Sequence, residues 1–505
     1  MGRSASPVLT GDFAHLGEVL AAAAASHGDR EAYVDGDERI SYATWVARAR
    51  AVSALLVDHG VRPGDVVALM LPSGIDYAVC YAAAAWAGAI TTGLNTRLGQ
   101  REVTAILEKA KPRLVIRDDT AGLAQAPRQF SVIERARLHG LPPGGSERPA
   151  TRQADDPATI VWTSGTTGLP KGAWFDHRNL AAAARTAGVM SAPYDRKLVA
   201  TPFAHAGYMA KLWDQIVWGT TVIVSPTPWT AAEMARLLRE EQVSVAGGVP
   251  TQWAKLLDEP SMTAHGRLDH IRVGISATAP AAPELVREVA TLLGVPLVVR
   301  YAMTESPSIC GTGVDDPPEV QASTVGRPQE GMRIRIVDEQ GLAAPDGTVG
   351  RVTVKGPVVM RGYWDEPELT AQTLDSDGWL RSGDLGLITP DGNLRLVGRS
   401  GDMYIRGGYN VYPLEVENVL AEHPQVARVA VLGEQAPVIG EIGVAAVVPS
   451  DPGDPPSLES LRDWVRGRLA DYKAPDRLAI VDDLPLTSML KVDRVALGQL
   501  LTRRG

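Results

Sequence analysis

Helical and strand-like segments alternate along this chain from Leu16 to Val299. Apolar residues recur at helical spacing in some segments, and short aliphatic or β-branched runs lie between them. The helices are predicted at 16–26, 44–59, 77–87, 231–241 and 282–293, and the strands at 66–71, 114–116, 159–162, 222–224, 243–246 and 297–299. This alternation predicts the α/β fold class, with parallel sheets covered by helices.

The predicted secondary structure changes twice after this region. Short strands and Gly-containing turns follow Gly326 and predict a β-rich subdomain. After Gly401 the pattern is a compact α+β unit, with helices at 413–422 and 458–469 and strands at 426–432 and 444–448. Since 505 residues exceed what one core usually holds, we predict an N-terminal domain at 1–401 and a small C-terminal domain at 402–505.

Charge and cysteine content exclude some classes of protein. The chain has 50 Lys and Arg against 59 Asp and Glu, a net charge of −9, which argues against a nucleic-acid partner. Its two cysteines, Cys80 and Cys310, form no CxxC pair, so we expect a reducing, cytoplasmic setting. The apolar stretch at 77–94 is mostly alanine and is predicted to be a buried helix, with no membrane span.

The segment TSGTTGLPKG at 163–172 carries the strongest functional signal. Hydroxyls, backbone amides and a lysine lie close together after a predicted strand, and glycines let a phosphate approach the backbone. It differs from a Walker P-loop, because Pro170 and Gly172 flank the lysine. The segment predicts an anion cradle.

This segment resembles the phosphate loop of the adenylate-forming superfamily, which includes acyl-CoA synthetases, peptide-synthetase adenylation domains and beetle luciferases. Further segments are similar to motifs of the family and follow its order. They are LNTRL at 94–98, RYAMTE at 300–305, SGDL at 382–385, GRSGD at 398–402, GGYNVYPLEVE at 407–417, YKAP at 472–475 and PLTSMLKVDR at 485–494. The resemblance is closest to acyl-CoA ligases and spans nearly the whole chain.

The resemblance implies a large N-terminal domain, a small mobile C-terminal domain, and residues that bind ATP or an acyl-AMP. The residues implied for the phosphates are Thr163, Ser164, Gly165, Thr166, Thr167 and Lys171. Those implied for the adenosine are Ser276, Ala277, Thr278, Tyr301, Ala302, Met303, Asp384 and Arg399. Tyr301 would stack on adenine, and Asp384 would accept hydrogen bonds from the ribose hydroxyls.

The same resemblance implies the catalytic residues. Glu305 would hold Mg²⁺, which prefers carboxylate oxygen, and Thr304 would bond the α-phosphate. Lys491 would offset the repulsion between the α-phosphate and the carboxylate of the substrate. His205 would lie near the substrate carboxylate or at the mouth of the acyl pocket, with a packing role equally open.

Domain rotation is also implied by the family. Asp402 matches its hinge position, and the residues implied for coenzyme A are Gly407, Gly408, Tyr409 and Lys473. The acyl pocket is expected at His205, Ala206 and Gly207, where small residues leave room for a bulky acid. The Phe-Asp pair with which many amino-acid adenylation domains hold an α-amino group is absent, which favours a non-amino acid.

Two positions depart from the family pattern. Ala302 replaces a glycine, and Leu490 replaces the glycine before the catalytic lysine. Leucine cannot adopt the backbone angles open to glycine at low energy. These departures lead to the hypothesis that adenylation is weakened or lost, and that a separate enzyme supplies the acyl-adenylate.

The chain is therefore interpreted as an acyl-CoA ligase that acts on a small-molecule carboxylic acid. The alternatives are an enzyme that loads a carrier-protein phosphopantetheine, a non-catalytic protein that binds an acyl-adenylate or nucleotide, and, more remotely, a luciferase-like oxygenase. The identity of the acid and the oligomeric state stay open.

Overall fold

A computed structural model describes residues 6–118, 130–163, 170–277, 283–345, 347–437, 440–487 and 492–504. In residues 6–163 the elements are α1 Leu16–His27, β1 Glu31–Asp35, β2 Glu38–Ser41, α2 Tyr42–Asp58, β3 Val66–Met70, α3 Ile75–Trp86, β4 Ile90–Gly93, α4 Gln100–Ala110, β5 Leu114–Arg117, β6 Ser131–Glu134 and β7 Pro157–Thr163.

The middle of the chain continues this alternation. Its elements are β8 Lys171–Asp176, α5 His177–Arg185, β9 Arg196–Val199, α6 Ala206–Met209, α7 Leu212–Trp218, β10 Thr221–Val224, α8 Ala231–Glu240, β11 Val245–Gly248, α9 Pro250–Leu257, α10 Pro260–His265, β12 Val273–Ala277, α11 Pro283–Glu288, β13 Leu297–Met303, β14 Ser306–Gly311 and α12 Pro318–Ser323. A π-helical turn at Val289–Leu293 extends α11.

The remaining elements are shorter and mostly β. They are β15 Arg327–Pro328, β16 Arg333–Val337, β17 Gly350–Lys355, β18 Gly362–Tyr363, α13 Pro367–Thr373, β19 Leu380–Ile388, β20 Leu394–Arg399, β21 Tyr404–Arg406, β22 Tyr409–Val411, α14 Pro413–Leu420, β23 Val426–Ala436, β24 Gly440–Pro449, α15 Leu458–Arg466, β25 Arg477–Ile480 and α16 Arg494–Arg504. Three 3₁₀ turns lie at Arg135–Leu138, Gly188–Met190 and Asp471–Lys473.

Two large sheets form the N-terminal part. One has nine strands in the order β15-β14-β13-β12-β11-β9-β10-β1-β2, and the other has seven in the order β18-β8-β7-β4-β3-β5-β6. The central strands are parallel, as the alternation predicts. Helices α1, α2, α3, α5 and α7 contribute to the main apolar core beside these sheets.

Both edges of the nine-stranded sheet and the β18–β8–β7 edge of the seven-stranded sheet are antiparallel, which the sequence analysis did not anticipate. The cause is connection length, because a parallel crossover needs a dozen or more residues. Only residues 304–305 separate β13 from β14, and residues 164–170 separate β7 from β8. Each of these two hairpins contains a predicted site motif, RYAMTE in the first and the phosphate-loop segment in the second. The chain therefore reverses direction at both motifs.

Helix α3 corresponds to the alanine-rich stretch that was predicted to be buried. Its residues from Tyr77 to Trp86 are all buried, and Trp45 donates a hydrogen bond to the Ala78 carbonyl at 3.0 Å. Small alanine side chains allow α2 to pack closely against it. Among the described residues, no helix is both long and apolar enough to cross a membrane.

Two further sheets follow. Strands β16, β17, β19 and β20 make an antiparallel sheet, which is the predicted β-rich subdomain. Strands β21 to β25 make a five-stranded sheet packed by α14, α15 and α16 around separate apolar cores. The fold class is therefore confirmed, while the boundary between residues 401 and 402 stays a prediction. Cys80 and Cys310 are buried free thiols.

Candidate active site

Tyr301, Asp384 and Arg399 come together from three strands. Tyr301 lies near the end of β13, and Asp384 and Arg399 are cross-strand partners on β19 and β20. The Tyr301 hydroxyl donates to Asp384 Oδ2, and Arg399 Nε donates to Asp384 Oδ1 at 2.9 Å. Burial, with the Asp384 carboxylate beside it, raises the pKa of Tyr301 well above its usual value, so the phenol stays protonated.

Thr304 and Glu305 form the two-residue turn between β13 and β14. The Glu305 residue is only 7% exposed, and its Oε1 accepts a hydrogen bond from the Tyr363 hydroxyl at 2.7 Å. The Met360 amide also donates to the Glu305 carbonyl at 2.8 Å, which fixes the turn. Ala302 and Met303 precede this turn on β13 and are partly buried.

The phosphate-loop motif connects β7 and β8, where Thr163 and Lys171 are cross-strand partners. Lys171 Nζ lies 5.7 Å from the centre of the Tyr363 ring, so Tyr363 stands between this lysine and Glu305. The residues Ser164, Gly165, Thr166 and Thr167 lie outside the described residues. Lys171, at the C-terminal end of the loop, therefore faces the Glu305 turn with Tyr363 between them.

Ser276 and Ala277 end β12, beside β13. The Ser276 hydroxyl is buried and has no hydrogen-bond partner among the described residues. Ala277 is the cross-strand partner of Arg300, the residue before Tyr301. Ser276 and Ala277 therefore lie at the same end of the sheet as Tyr301, the residue predicted to contact adenine. Thr278 lies outside the described residues.

His205 caps helix α6. Its Nδ1 accepts a hydrogen bond from the Gly207 amide at 3.1 Å, and Ala206 is buried. A shallow open cleft lies beside this segment and is lined by residues 199–204 together with Asn95, Thr96 and Arg97 of the LNTRL segment. Both segments thus border one cleft, but His205 itself caps a helix and is not among the residues that line it.

The residues predicted for coenzyme A lie in the C-terminal part. Gly407 and Gly408 have φ of 56° and 86°, and in the part of the chain that the structure describes an added Cβ would meet no atom within 4 Å beyond the neighbouring residues. Tyr409 is 58% exposed and stacks on Tyr472, with ring centres 4.6 Å apart. Lys473 Nζ donates to Glu415 at 2.6 Å. These residues form a second group with an exposed glycine turn.

Asp402, at the predicted hinge, lies between the two groups. Its carboxylate is 3.5 Å from Arg494 Nε, and its backbone amide donates to the Arg399 carbonyl at 3.2 Å. Arg494 also donates to Glu417 at 2.8 Å. Lys491 and Leu490 lie outside the described residues.

Sequence reasoning missed three ionisable residues next to this site, which are the buried Asp214 and Arg300 and the partly buried Lys211, whose Nζ is buried. A signal was present, because Arg300 interrupts an apolar run in a central strand. Such strands are normally apolar on both faces. A charged residue there marks either an internal ion pair or a ligand.

Comparisons with known proteins match most of the chain. A family model described as AMP-binding enzyme matches residues 20–364, and one described as AMP-binding enzyme C-terminal domain matches residues 415–491. The chain is 32% identical to 3-[(3aS,4S,7aS)-7a-methyl-1,5-dioxo-octahydro-1H-inden-4-yl]propanoyl:CoA ligase of Rhodococcus jostii (strain RHA1), over 94% of this chain and 96% of that protein. It is 33% identical to feruloyl-CoA synthase of Amycolatopsis sp, over 90% and 93%.

A solved structure is similar over nearly its whole length. The crystal structure of ATP-bound MatB from Rhodopseudomonas palustris matches with a TM-score of 0.86 and 31% identity, covering 95% of this chain and 98% of that one. The resemblance extends through both large sheets and the C-terminal sheet.

Proposed function

This chain belongs to the AMP-binding enzyme family and is an acid–thiol ligase, and on that premise we propose that it forms a coenzyme A thioester from one carboxylic acid through an acyl-adenylate. The observation that carries the proposal is the buried Asp384, held by Tyr301 and Arg399. Each of its oxygens keeps acceptor capacity for a ribose hydroxyl.

The nucleotide would lie across the ends of β12, β13 and β19. Adenine would contact the Ser276–Ala277 edge and the Tyr301 ring, and ribose would bond Asp384. Thr304 would donate to the α-phosphate, and Lys171 would neutralise charge at the mouth of the phosphate loop. These roles are supported by the way the fold gathers the residues at one edge.

Mg²⁺ fits the Glu305 turn. Glu305 offers a carboxylate that is buried and bonded on one oxygen by Tyr363, so its other oxygen stays available. Among the described residues, no group of three metal-binding side chains exists, which suits an ion held mainly by phosphate oxygens and water. When bound, the ion would neutralise charge on the phosphates.

Lys491 would bring its ammonium to the acid and the α-phosphate, where two anions must meet. Leu490 precedes this lysine in place of glycine. A misplacement of about 1 Å can cost roughly a hundredfold in rate. We therefore infer weakened or lost adenylation, with the acyl-adenylate supplied by a separate enzyme, while the exposed Gly407–Gly408 turn keeps the thioester step.

The decisive test separates the two half-reactions. Acid-dependent exchange of pyrophosphate into ATP reports adenylation, and release of AMP from a synthetic acyl-adenylate plus coenzyme A reports thioester formation. We expect the wild type to perform the second reaction and to perform the first only after Leu490→Gly. Robust exchange by the wild type would remove the special role of Leu490 and leave a complete two-step ligase.

The thiol acceptor is tested in the same assay. Free coenzyme A is expected to accept the acyl group. Transfer only to a phosphopantetheinylated carrier protein would favour the carrier-loading alternative, and binding of the adenylate without transfer to either thiol would favour a non-catalytic binding protein.

A further inference from the structure

One face of the nine-stranded sheet carries two cations, the partly buried Lys197 and the buried Arg300. Cross-strand partners lie on the same face, and Lys197 pairs with Val245, which pairs in turn with Val273. Ala277 lies four residues after Val273 on the same strand and pairs with Arg300. Because side chains alternate along a strand, Lys197 and Arg300 point to the same side of the sheet.

Helix α7 brings a third cation to this face. Lys211 precedes α7, and its Nζ is buried with no hydrogen-bond partner among the described residues. Burial lowers the pKa of Lys211 to about 7, Asp214 acts in the opposite direction, and Arg300 and Lys197 lower it further. The charges of Asp214, Arg300 and Lys197 therefore all act on the Lys211 ammonium.

Asp214 is the carboxylate that acts on Lys211. Its Oδ2 accepts a hydrogen bond from Ser191 at 2.9 Å, and its Oδ1 has no partner among the described residues. The nearby Asp195 is bonded by Arg272 at 2.6 Å and therefore does not compensate the cluster. Three cations against one carboxylate leave two positive charges when all are ionised.

Arg300 is 7% exposed and bonds only neutral acceptors in the described part of the chain, the Thr186 carbonyl at 3.3 Å and the Ser308 hydroxyl at 3.4 Å. Burial lowers the pKa of its guanidinium to about 10, so it keeps its charge at neutral pH. A buried charge without a counter-ion is strongly unfavourable, and a ligand can supply one.

The same face has room for a ligand. Gly247 pairs with Ile275, two residues before Ala277. Among the described residues other than its two chain neighbours, an added Cβ there would meet only the Leu198 carbonyl oxygen within 4 Å, at 3.6 Å. The absent side chain leaves space over the strands that carry the cations.

This space adjoins both predicted halves of the substrate. Arg300 precedes Tyr301 of the nucleotide group, about 3.3 Å along the strand. Lys211 follows α6, whose start at Ala206 and Gly207 was predicted to line the acyl pocket. The cluster of Lys197, Lys211 and Arg300, named here the cationic cluster, thus lies beyond the point where the acyl chain would enter.

We propose that the substrate is a dicarboxylic acid, whose reacting carboxylate meets the nucleotide and whose far carboxylate is bound by Lys211 and Arg300 of the cationic cluster. This inference rests on the proposed function and specifies its substrate class. The competing explanation is an internal ion pair bridged to Asp214 by water, which would give no preference among acids.

The test measures binding without turnover. Acyl-sulfamoyl-adenosine analogues are prepared in pairs of equal carbon number, from four to eight carbons, ending either in a second carboxylate or in a methyl group. Isothermal titration with the full-length protein gives the affinity of each member. We expect at least one carboxylate-ended analogue to bind about tenfold or more tightly than its methyl partner, which is about 1.4 kcal/mol.

Variants assign the preference to the cluster. Lys211→Met is expected to abolish the preference, Lys211→Arg to retain part of it, and Arg300→Met to reduce it. Lys255→Met, at an exposed position on α9, is the matched control and is expected to behave as wild type. If Lys211→Met fails to fold, the paired series with the wild type still decides the question.

Two outcomes separate this inference from the proposed function. Equal or tighter binding of the methyl-ended analogue at every chain length overturns the dicarboxylate assignment, even where thioester formation occurs. Carboxylate selectivity without transfer of any dicarboxylic acyl-adenylate to a thiol supports the assignment and contradicts the ligase proposal.

Discussion

Asp384 receives one hydrogen bond on each carboxylate oxygen, from Tyr301 and from Arg399. The carboxylate lies at 11% exposure, whereas Arg399 is 58% exposed. Burial opposes the charge on Arg399, but the Asp384 carboxylate raises the pKa of Arg399 above its usual value, so the guanidinium stays charged. A carboxylate fixed in this way can accept from two neighbouring hydroxyls without reorientation.

Asp384→Asn is therefore expected to weaken nucleotide binding. The amide group replaces one acceptor oxygen with a donor, and hydrogen bonds to charged groups contribute about 1.5–3 kcal/mol. Affinity for AMP, measured by titration calorimetry, should fall by about 10- to 150-fold. Asp58→Asn, on the exposed end of α2, is the control, and an unchanged affinity in Asp384→Asn would contradict the ribose assignment.

Lys211 predicts a pH dependence for acid selectivity. Its pKa of about 7 is set by burial, Asp214 on α7, Arg300 on β13 and Lys197 on β9. The ammonium is charged below this pKa and loses its proton above it, and a bound carboxylate raises the pKa. Preference for carboxylate-ended analogues should therefore fall as pH rises above about 7.

The control for this pH dependence is Lys211→Arg, because arginine stays protonated throughout this range. Titrations from pH 6 to 9 should show a declining preference in the wild type and a flat one in the variant. A flat wild-type profile would show that the lysine charge does not contribute.

At the scale of elements, Arg494 joins three parts of the C-terminal region. It begins α16, bonds Glu417 of α14 at 2.8 Å and the Val431 carbonyl of β23 at 2.7 Å, and approaches Asp402 at 3.5 Å. Glu417 is only 14% exposed, and burial raises its pKa. Arg494 is thus the counter-ion of a buried carboxylate.

Arg494→Met is expected to lower the free energy of unfolding by about 3 kcal/mol, since it leaves Glu417 buried without its partner. Urea denaturation followed by circular dichroism measures the change. Arg236→Met provides the contrast, because Arg236 pairs with Glu233 and Glu240 on the exposed face of α8 and should contribute about 1 kcal/mol or less. Equal losses in the two variants would contradict the role of burial.

Element positions were largely predictable, and sheet edges were not. The predicted helix at 16–26 ends one residue before α1 does, and the predicted strand at 66–71 ends one residue after β3 does. Both were predictable because the spacing of apolar residues along the sequence is enough to indicate them. The antiparallel β14 was missed because a two-residue connection looks like an ordinary loop. The cationic cluster was missed because Lys197 and Arg300 share one face of the sheet only through a strand order that no local pattern contains.

At the scale of the molecule, the predicted rotation of the C-terminal part depends on backbone freedom at Asp402. Asp402→Pro removes the amide that donates to Arg399 and restricts Gly401. Transfer from synthetic acyl-adenylate to coenzyme A, followed by rapid quench, should slow by roughly a hundredfold. AMP affinity should persist, and Asp402→Asn should transfer faster than the proline variant. Full transfer by Asp402→Pro would contradict a hinge at this position.

The pairing of β1 with β10 has a consequence during synthesis. Tyr33 pairs with Val222, so two neighbours in the sheet are 189 positions apart in the sequence. A ribosome adding about 5–20 residues per second needs roughly 10–40 s to cover that distance. Until β10 has been made, the edge of β1 that pairs with it in the native sheet has no partner strand. Slow codons between these two strands should therefore increase the dependence of folding on chaperones and lower the yield of native enzyme.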